Sequence, residues 1–572
     1  MGAPTSRWLD RVPAIAAGCA AVVAGAELAA ATSGAVAPQG RAVLAHLPGD
    51  ALASLHVSRV PLALGFVALA YLLVRRRRRG WELSVALLLT LSAANLFAAR
   101  DVIESLVCLG GAGALALLRG RFYVLPQKRR GREWLVVASV LLATAAIALV
   151  GAGAVSLLTH QDLGLRELVT MAGALLSVIP VPDSLPEPAD WLAVLVNVVA
   201  LGSVAVVGRT LFGPLRGARP PAASERDRAR ELVRAFGDDT LAFFKLRPDK
   251  HYLFTASADA VLGFRIEAGC LVISGDPVGP MRAHQELLAR ARTFARKRGL
   301  KITVVNASEA FAATCQRFGL RSMYLGDEAI VATDFSLEGR RVRKVRQSVN
   351  RLKRLGFAAE LRQTSELPPE IRAEVAAVSR AARGHAPERG FSSALSAEDG
   401  QLDNETTLLL ARDGTGRLRG FLYFVPCYGR PVVSLSTMCR DPESPNGLTE
   451  FMIVAALEGL HVRGVIEASL NYAALARYIH EPRNWGQRTL GRVAILGDSL
   501  FQVESLYRFN AKFAPRWHPR FLVYEGRLGL LRSAAAILLA EGQLSKPTWP
   551  RPLARTPMPR QPPEFKPGTS RP

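Results

Sequence analysis

The chain has 572 residues, 49% hydrophobic and 21% charged, and its 72 Lys and Arg against 48 Asp and Glu give a formal charge of +24. Single cores stop growing near roughly 250–300 residues, so this length exceeds one compact domain. Apolar residues crowd the region before residue 213 in runs nearly free of charge, and the remainder has ordinary globular composition, which excludes a wholly soluble and a wholly membranous chain. The cysteines at 19, 108, 270, 315, 427 and 439 form no CxxC pair and no His/Cys cluster, so neither a disulfide scaffold nor a metal site is expected.

A membrane span needs about 20 mostly apolar residues, because the hydrocarbon core is about 30 Å thick and a helix rises about 1.5 Å per residue. Six segments qualify in chain order: 12–31, 57–74, 81–98, 103–118, 134–157 and 191–212. A further stretch, 168–181, is short and runs into Pro180, Pro182, Pro186 and Pro188; proline disfavours helix, so it reads as re-entrant or surface-lying. Arg75 to Arg79 follow the second span, and Arg119, Arg121, Lys128, Arg129, Arg130 and Arg132 follow the fourth. Cytoplasmic loops retain such excess, so both loops face the cytoplasm. Six spans then put both termini, and everything after Phe212, on that side of a bacterial inner membrane. Glu27, well inside the first span, is expected to reach the interface.

Residues 214–225 read as a Pro/Gly-rich linker and 546–572 as a disordered, basic, Pro-rich tail. Between them, 226–334 and 335–545 are expected to form two mixed α/β subdomains. In the first, 255–256, 261–266 and 270–274 read as paired strands, 281–298 as an amphipathic helix and 301–306 as a buried strand. In the second, 408–412 and 418–425 flank Asp413-Gly414-Thr415-Gly416, a hairpin signal. No helix follows those glycines, so they are not a nucleotide loop. Residues 432–436, 448–463 and 464–470 then read as strand, helix and buried strand. The expected fold is a multi-pass α-helical membrane domain followed by an α/β (α+β) cytoplasmic domain of tandem acyltransferase (GNAT)-like folds.

Residues 340–354 carry eight cations and no acid: Arg340, Arg341, Arg343, Lys344, Arg346, Arg351, Lys353 and Arg354. Val342, Val345, Val349 and Leu352 recur at helical spacing, so one stripe can dock while cations cover the other face. Cationic density of one sign points to a polyanion, either anionic lipid or RNA phosphates, since a merely solvated face intersperses acids.

Several blocks together make the cytoplasmic half recognisable. They are Ile273-Ser274-Gly275-Asp276-Pro277-Val278-Gly279; Phe335-Ser336-Leu337-Glu338-Gly339 running into the basic helix with Arg346 and Asn350; and Glu388-Arg389-Gly390-Phe391-Ser392. Further on come Arg440-Asp441-Pro442 through Pro445-Asn446-Gly447, then Ser469-Leu470-Asn471-Tyr472-Ala473, and Leu506-Tyr507-Arg508-Phe509-Asn510-Ala511-Lys512-Phe513 through Trp517, Pro519 and Arg520. In these blocks the chain resembles the bacterial aminoacyl-phosphatidylglycerol synthases, the phosphatidylglycerol lysyltransferase or multiple-peptide-resistance-factor family. The resemblance implies transfer of an amino acid from aminoacyl-tRNA to a lipid hydroxyl, usually of the anionic phospholipid phosphatidylglycerol, altering surface charge and resistance to cationic peptides. It implies no cofactor and no metal, and leaves a homo-oligomer open. It also implies that charged tRNA comes from elsewhere, because the lysyl-tRNA synthetase module of some shorter relatives has no counterpart after residue 545.

On the matched positions, Glu388, Arg440, Asp441 and Glu450 are the expected catalytic residues. Arg346, Asn350, Asn471, Lys512 and Arg520 are the expected substrate contacts. Arg340, Arg341, Arg343, Lys344, Lys353 and Arg354 are the expected contacts to tRNA or lipid phosphate. Lysine-transferring relatives commonly read Asp-Leu-Met-Arg-Arg where this chain reads Ser436-Thr437-Met438-Cys439-Arg440. A buried ammonium needs a paired charge, so the missing acid brings a small neutral residue such as alanine into contention beside lysine, and diacylglycerol beside phosphatidylglycerol. The competing readings are a non-catalytic membrane or lipid-binding scaffold or flippase with a degenerate transferase domain, and a tRNA-dependent transferase acting on a cell-wall precursor. Acyl-CoA-dependent acetylation is disfavoured, because no glycine-rich loop enters a helix.

Overall fold

The structure is a computed structural model, and it describes residues 11–33, 59–94, 96, 102–124, 132–158, 199, 202–203, 220–384, 390–395, 402–474, 503–526 and 529–544. Helices α1 (Val12–Ser33), α2 (Arg59–Val74), α3 (Arg78–Ala94), α4 (Val102–Leu117) and α5 (Arg132–Leu158) fall on the first five segments read as spans. α1 packs along α2 and α3 along α4. Ser92 and Ser105 fasten the second pair, their hydroxyls 2.9 Å apart and each 2.9 Å from the other's carbonyl oxygen. Among the described residues no helix is both long and apolar enough to cross a membrane, so the multi-pass reading rests on the sequence. Most of 191–212, all of 168–181 and the tail 546–572 lie outside the described residues.

From residue 220 onward one order of elements occurs twice. Helix α6 (Ala223–Phe236) leads into β1 (His251–Phe254), β2 (Val261–Glu267), β3 (Cys270–Ser274), α7 (Ala283–Arg298), β4 (Lys301–Ala307), α8 (Glu309–Arg317) and β5 (Arg321–Ala332). Then come α9 (Arg343–Arg354), β6 (Ala358–Gln363) and α10 (Pro369–Arg383). The second occurrence follows as β7 (Thr407–Arg412), β8 (Leu418–Cys427), β9 (Val432–Arg440), α11 (Leu448–Val462), β10 (Glu467–Ala474), α12 (Val503–Ala511) and β11 (Arg516–Tyr524), and α13 (Gly529–Ala540) is the last described element.

Two compact units result. The first comprises Met1–Gly326, Cys427–Arg430 and Pro519–Ser533, the second Asp327–Pro426, Pro431–His518 and Ala534–Pro572. In the first, β1, β2 and β3 pair antiparallel, β4 lies parallel to β3, and β11 runs antiparallel to β4 with Val523 opposite Val304. In the second, the strand order is β5-β10-β9-β8-β7-β6, with β10 parallel to β9. Each unit therefore takes in part of the other repeat's last strand: residues 327–332 of β5 fall in the second unit and 519–524 of β11 in the first.

The local reasons are visible in the residues. All five positions of β3 and six of seven in β4 are buried, the unbroken apolar run of a strand covered on both faces. Ala283, Leu287, Leu288, Ala291 and Ala295 give α7 its buried stripe, and Gly299, at φ 65°, ends it in the left-handed conformation glycine adopts freely. The strand expected at Thr255 is instead a turn. The Thr255 hydroxyl donates to Asp259 Oδ1 at 2.6 Å and accepts from the amides of Asp259 and Ala260, so β1 stops at Phe254. That is the hydroxyl-to-backbone competition that makes threonine a turn former.

Candidate active site

In parallel α/β sheets, ligands bind at the carboxyl ends of the strands. In the second unit those ends belong to β9 and β10, held in register by Val432 opposite Glu467 and Ser434 opposite Ser469. Asn471, within β10 and two residues past its last pairing with β9, has φ at 71°, and its Nδ2 donates to Ser393 O at 2.9 Å and Leu435 O at 3.4 Å. Ser436 Oγ accepts from the Leu395 amide at 2.7 Å, and Thr437 Oγ1 donates to Leu395 O at 2.8 Å. The segment 390–395 is thereby laid across β9 and β10 just beyond Ser434 and Ser469, where their pairing stops. Where lysine-transferring relatives hold an acid, Ser436 is buried and spent on this anchoring.

Arg440 ends β9 exposed. Asp441, next in the chain, is buried and accepts from Arg419 Nη1 at 2.9 Å and Arg417 Nη2 at 3.3 Å. The Glu443 amide donates to Asp441 at 3.0 Å; this bond, together with Arg419 and against the opposing effect of burial, holds its carboxyl below the usual range. Asp441 is thus engaged as the anchor of the turn leading into α11.

That turn closes on Gly447, at φ 88°, where an added Cβ would come 2.8 Å from Ser348 of α9. Only glycine permits both the dihedral and the approach. Glu450 follows in the first turn of α11, where the helix dipole favours an anion. Its Oε1 accepts from Lys512 Nζ at 2.7 Å, with the glutamate 14% and the lysine 36% exposed. Lys512 Nζ also lies 5.0 Å from the Phe509 ring centroid. The structure thus brings together one expected catalytic residue and one expected substrate contact.

Helix α9 packs against α11. Val345, Val349 and Leu352 are buried in a core shared with Phe451, Met452 and Leu448, as the stripe predicts, although regular helix begins three residues later than expected. Three of the eight cations have local duties: Arg346 donates to Leu337 O at 2.9 Å, Arg351 donates to Asn446 O, and Arg354 donates to Asn350 O at 3.4 Å. Arg340, Arg341, Arg343, Lys344, Lys353 and Arg354 are exposed, as is Asn350. Tyr507 and Trp517 stack on each other with centroids 4.7 Å apart. Glu388 lies outside the described residues, as does His385.

Arg520 sits elsewhere, in the first unit. Buried, its guanidinium forks onto Asp239 at 2.7 and 2.8 Å and reaches Thr240 Oγ1 at 3.1 Å. Burial alone would raise the Asp239 carboxyl; the Arg520 charge outweighs it and holds the carboxyl well below the ordinary value. The same interior contains Lys245 and Lys250, both fully buried, the latter 2.5 Å from Ser274 Oγ. Burial lowers Lys245, against the pull of Asp239 and Asp276. Asp276 is pushed up to about 6, by burial first and the Asp239 charge second, while it accepts from the amide and hydroxyl of Ser308. Sequence reasoning named Asp276 only within a matched block, as part of a turn, and missed Asp239 and both lysines; a lysine inside Phe243-Phe244-Lys245-Leu246 was the available signal. Among the described residues no His, Cys, Asp or Glu group is arranged to hold a metal ion.

Comparison with known proteins fits this geometry. Residues 230–524 match the family described as phosphatidylglycerol lysyltransferase, C-terminal. The chain is 31% identical over 504 residues to the lysylphosphatidylglycerol biosynthesis bifunctional protein LysX of Rhodococcus opacus, covering 86% of this chain and 45% of that protein. It is 32% identical over 493 residues to the protein of the same description in Nocardia farcinica, covering 84% and 43%. The matched region therefore spans less than half the length of these relatives. The structure of L-PGS from Bacillus licheniformis superposes with a TM-score of 0.52 at 21% identity, covering 58% of this chain and all of that one, and this likeness establishes the α/β fold of the region it covers.

Proposed function

Because the chain belongs to the phosphatidylglycerol lysyltransferase C-terminal family, we propose that it is an aminoacyltransferase moving an amino acid from aminoacyl-tRNA to the hydroxyl of phosphatidylglycerol. One observation carries the reading. An acid–amine pair, Glu450 with Lys512, and a face of six exposed cations sit on and around two packed helices, α11 and α9. Such a face suits an RNA or lipid polyanion, and the pair beside it suits charge development at a reacting ester.

The aminoacyl ester is already activated, so the site has to align two reactants, remove a hydroxyl proton and stabilise an oxyanion. The lipid hydroxyl oxygen bonds to the ester carbonyl carbon, the bond from that carbon to the ribose oxygen breaks, and the hydroxyl proton ends on the released ribose oxygen. In this scheme Lys512, aimed by Glu450, faces the developing oxyanion, Arg440 takes a phosphate, and Glu388 relays the proton. Arg520 drops out of substrate contact because Asp239 fills its fork.

The region before residue 213 is proposed as a multi-pass anchor at the bacterial inner membrane with the transferase region cytoplasmic; charge-free runs and the arginines at 75–79 support it. Residues 226–334 and 335–545 are proposed as tandem acyltransferase-like subdomains, supported by the repeated element order. Alanine stands beside lysine as the transferred residue, because no carboxylate occurs in β9.

Expression in a bacterium lacking such lipids, followed by lipid mass spectrometry, tests the reading: a new aminoacylated phosphatidylglycerol is expected, and ribonuclease should abolish its formation in membranes supplied with labelled amino acid. Product that survives ribonuclease rules out the tRNA donor, and topology reporters placing Lys245 or Arg516 outside rule out the cytoplasmic site.

A further inference from the structure

Glu541 lies 17 residues beyond the family match, which ends at 524, yet its carboxylate is turned inward and only 8% exposed. Oε2 accepts the Phe391 amide at 2.7 Å, and Oε1 accepts the Ser392 amide at 3.2 Å and the Ser392 hydroxyl. The Glu541 carbonyl takes the Gly390 amide at 3.0 Å. A buried carboxylate that gathers two amides and a hydroxyl is a strong clamp, because charge-assisted bonds exceed neutral ones and leaving the donors unmet is costly.

The clamped segment is the one laid across β9 and β10 just beyond their pairing, where Ser393 meets Asn471 and Leu395 meets Ser436. Three independent ties thus fix six residues: Glu541 at the start, Asn471 in the middle, Ser436 and Thr437 at the end. Glu541 itself is held by the last turn of α13, its amide donating to Ile537 O at 2.7 Å.

We propose that Glu541 is a positioning residue: it sets the placement of 390–395 as one wall of the transfer site, and through that wall the size of amino acid the site accepts. The proposal rests on the transferase reading above. The carboxylate touches no reacting atom; it acts through Phe391 and Ser392, so the C-terminal helix belongs to the catalytic unit.

The test uses the full chain in membranes, as wild type, Glu541→Gln and Ser392→Ala. Glutamine keeps the shape but points an NH2 group at donors, whereas Ser392→Ala removes one donor and leaves the carboxylate. Two readouts are taken. Amide hydrogen exchange at 390–395 is expected to speed by about tenfold or more in Glu541→Gln, with the melting temperature little changed, as local opening predicts. The ratio of initial rates with alanyl-tRNA and lysyl-tRNA, which is independent of the active fraction, is expected to shift by about tenfold, the scale on which pocket shape discriminates. Ser392→Ala should move both in the same direction by less; should Glu541→Gln fail to fold, this variant decides. Unchanged exchange, or faster exchange with an unchanged ratio, overturns the proposal. A wild type that makes no aminoacyl lipid from either tRNA instead overturns the transferase reading, while the exchange arm still reports on the clamp.

Discussion

The two repeats share their backbone and differ in what they do with it. In each, a strand is followed by Asp-Pro, a positive-φ glycine precedes a helix, and an asparagine in the left-handed region lies within the parallel strand that follows. These are Asp276, Gly279 and Asn306 in the first repeat and Asp441, Gly447 and Asn471 in the second. In the first unit the surrounding charges close on one another: Arg520 is saturated by Asp239, Lys250 by Ser274, and Asp276 by Ser308. In the second unit Arg440 is exposed, and the Glu450–Lys512 pair stays partly open to solvent. On the proposed reading the same topology serves as scaffold once and as site once, and what separates the two is how far these charged groups are met by internal partners.

The sharpest way to break that contrast is to remove one partner from each unit. Asp239→Ala leaves the Arg520 guanidinium buried without its carboxylate, and breaking a buried pair in this way costs about 3–5 kcal/mol, so loss of folded protein at growth temperature is expected, read by yield and thermal melting. Lys512→Ala should do the reverse. Its pair is partly exposed, so stability should change by less than about 1 kcal/mol, while the transfer rate falls by about 10²–10³ on the scale of a lost oxyanion contact. If Lys512→Ala melts early at full specific activity, the assignment of scaffold and site is inverted.

How much of this the sequence discloses follows the range of the interactions. The β7–β8 hairpin was legible because Asp413 itself organises its turn, accepting from the amides of Thr415 and Arg417 at 3.0 and 3.2 Å. The buried stripe of α9 was legible because it repeats within three turns. Glu450 and Lys512 are 62 residues apart, and only the resemblance, not any periodicity, nominated both. The strands β5 and β11 were not read at all, and a strand pattern would in any case carry no address for the partner it pairs with. Glu541 resembles any solvated acid at a helix end until its three donors, about 150 residues upstream, are seen. Thr255 misled because β-propensity was credited to a residue whose hydroxyl had a better local use.

The cationic face of α9 separates site from scaffold more gently. Each lysine or arginine that neutralises a phosphate contributes about one unit to the slope of log affinity against log salt. Lys344→Gln and Lys353→Gln, both exposed and outside the buried stripe, should each flatten that slope for tRNA binding by about one and leave melting unchanged. Cations on the exposed face of α7 in the first unit, such as Arg290, should have no such effect; an equal slope change there would show that affinity follows net charge and not α9.

The smallest expected effect tests the two equivalent aspartates against each other through pH. Asp276 is raised, to about 6, so between its ordinary value near 4 and about 6 the native chain keeps a proton that the unfolded chain has lost. Stability then falls as pH rises through that window, with Asp239, Arg520 and Ser308 as the groups facing it. Asp441 is lowered, so its contribution is present above the ordinary carboxylate value and is lost only as pH falls below it. Melting curves from pH 7 down to 3 for Asp276→Asn and Asp441→Asn, each subtracted from wild type, should therefore slope in opposite directions, the first between about 4 and 6 and the second below about 4. Curves of the same sign would mean that the Asp276 carboxyl is held in its charged form like its counterpart, and the contrast between the two repeats would fail at the residue where the two backbones match best.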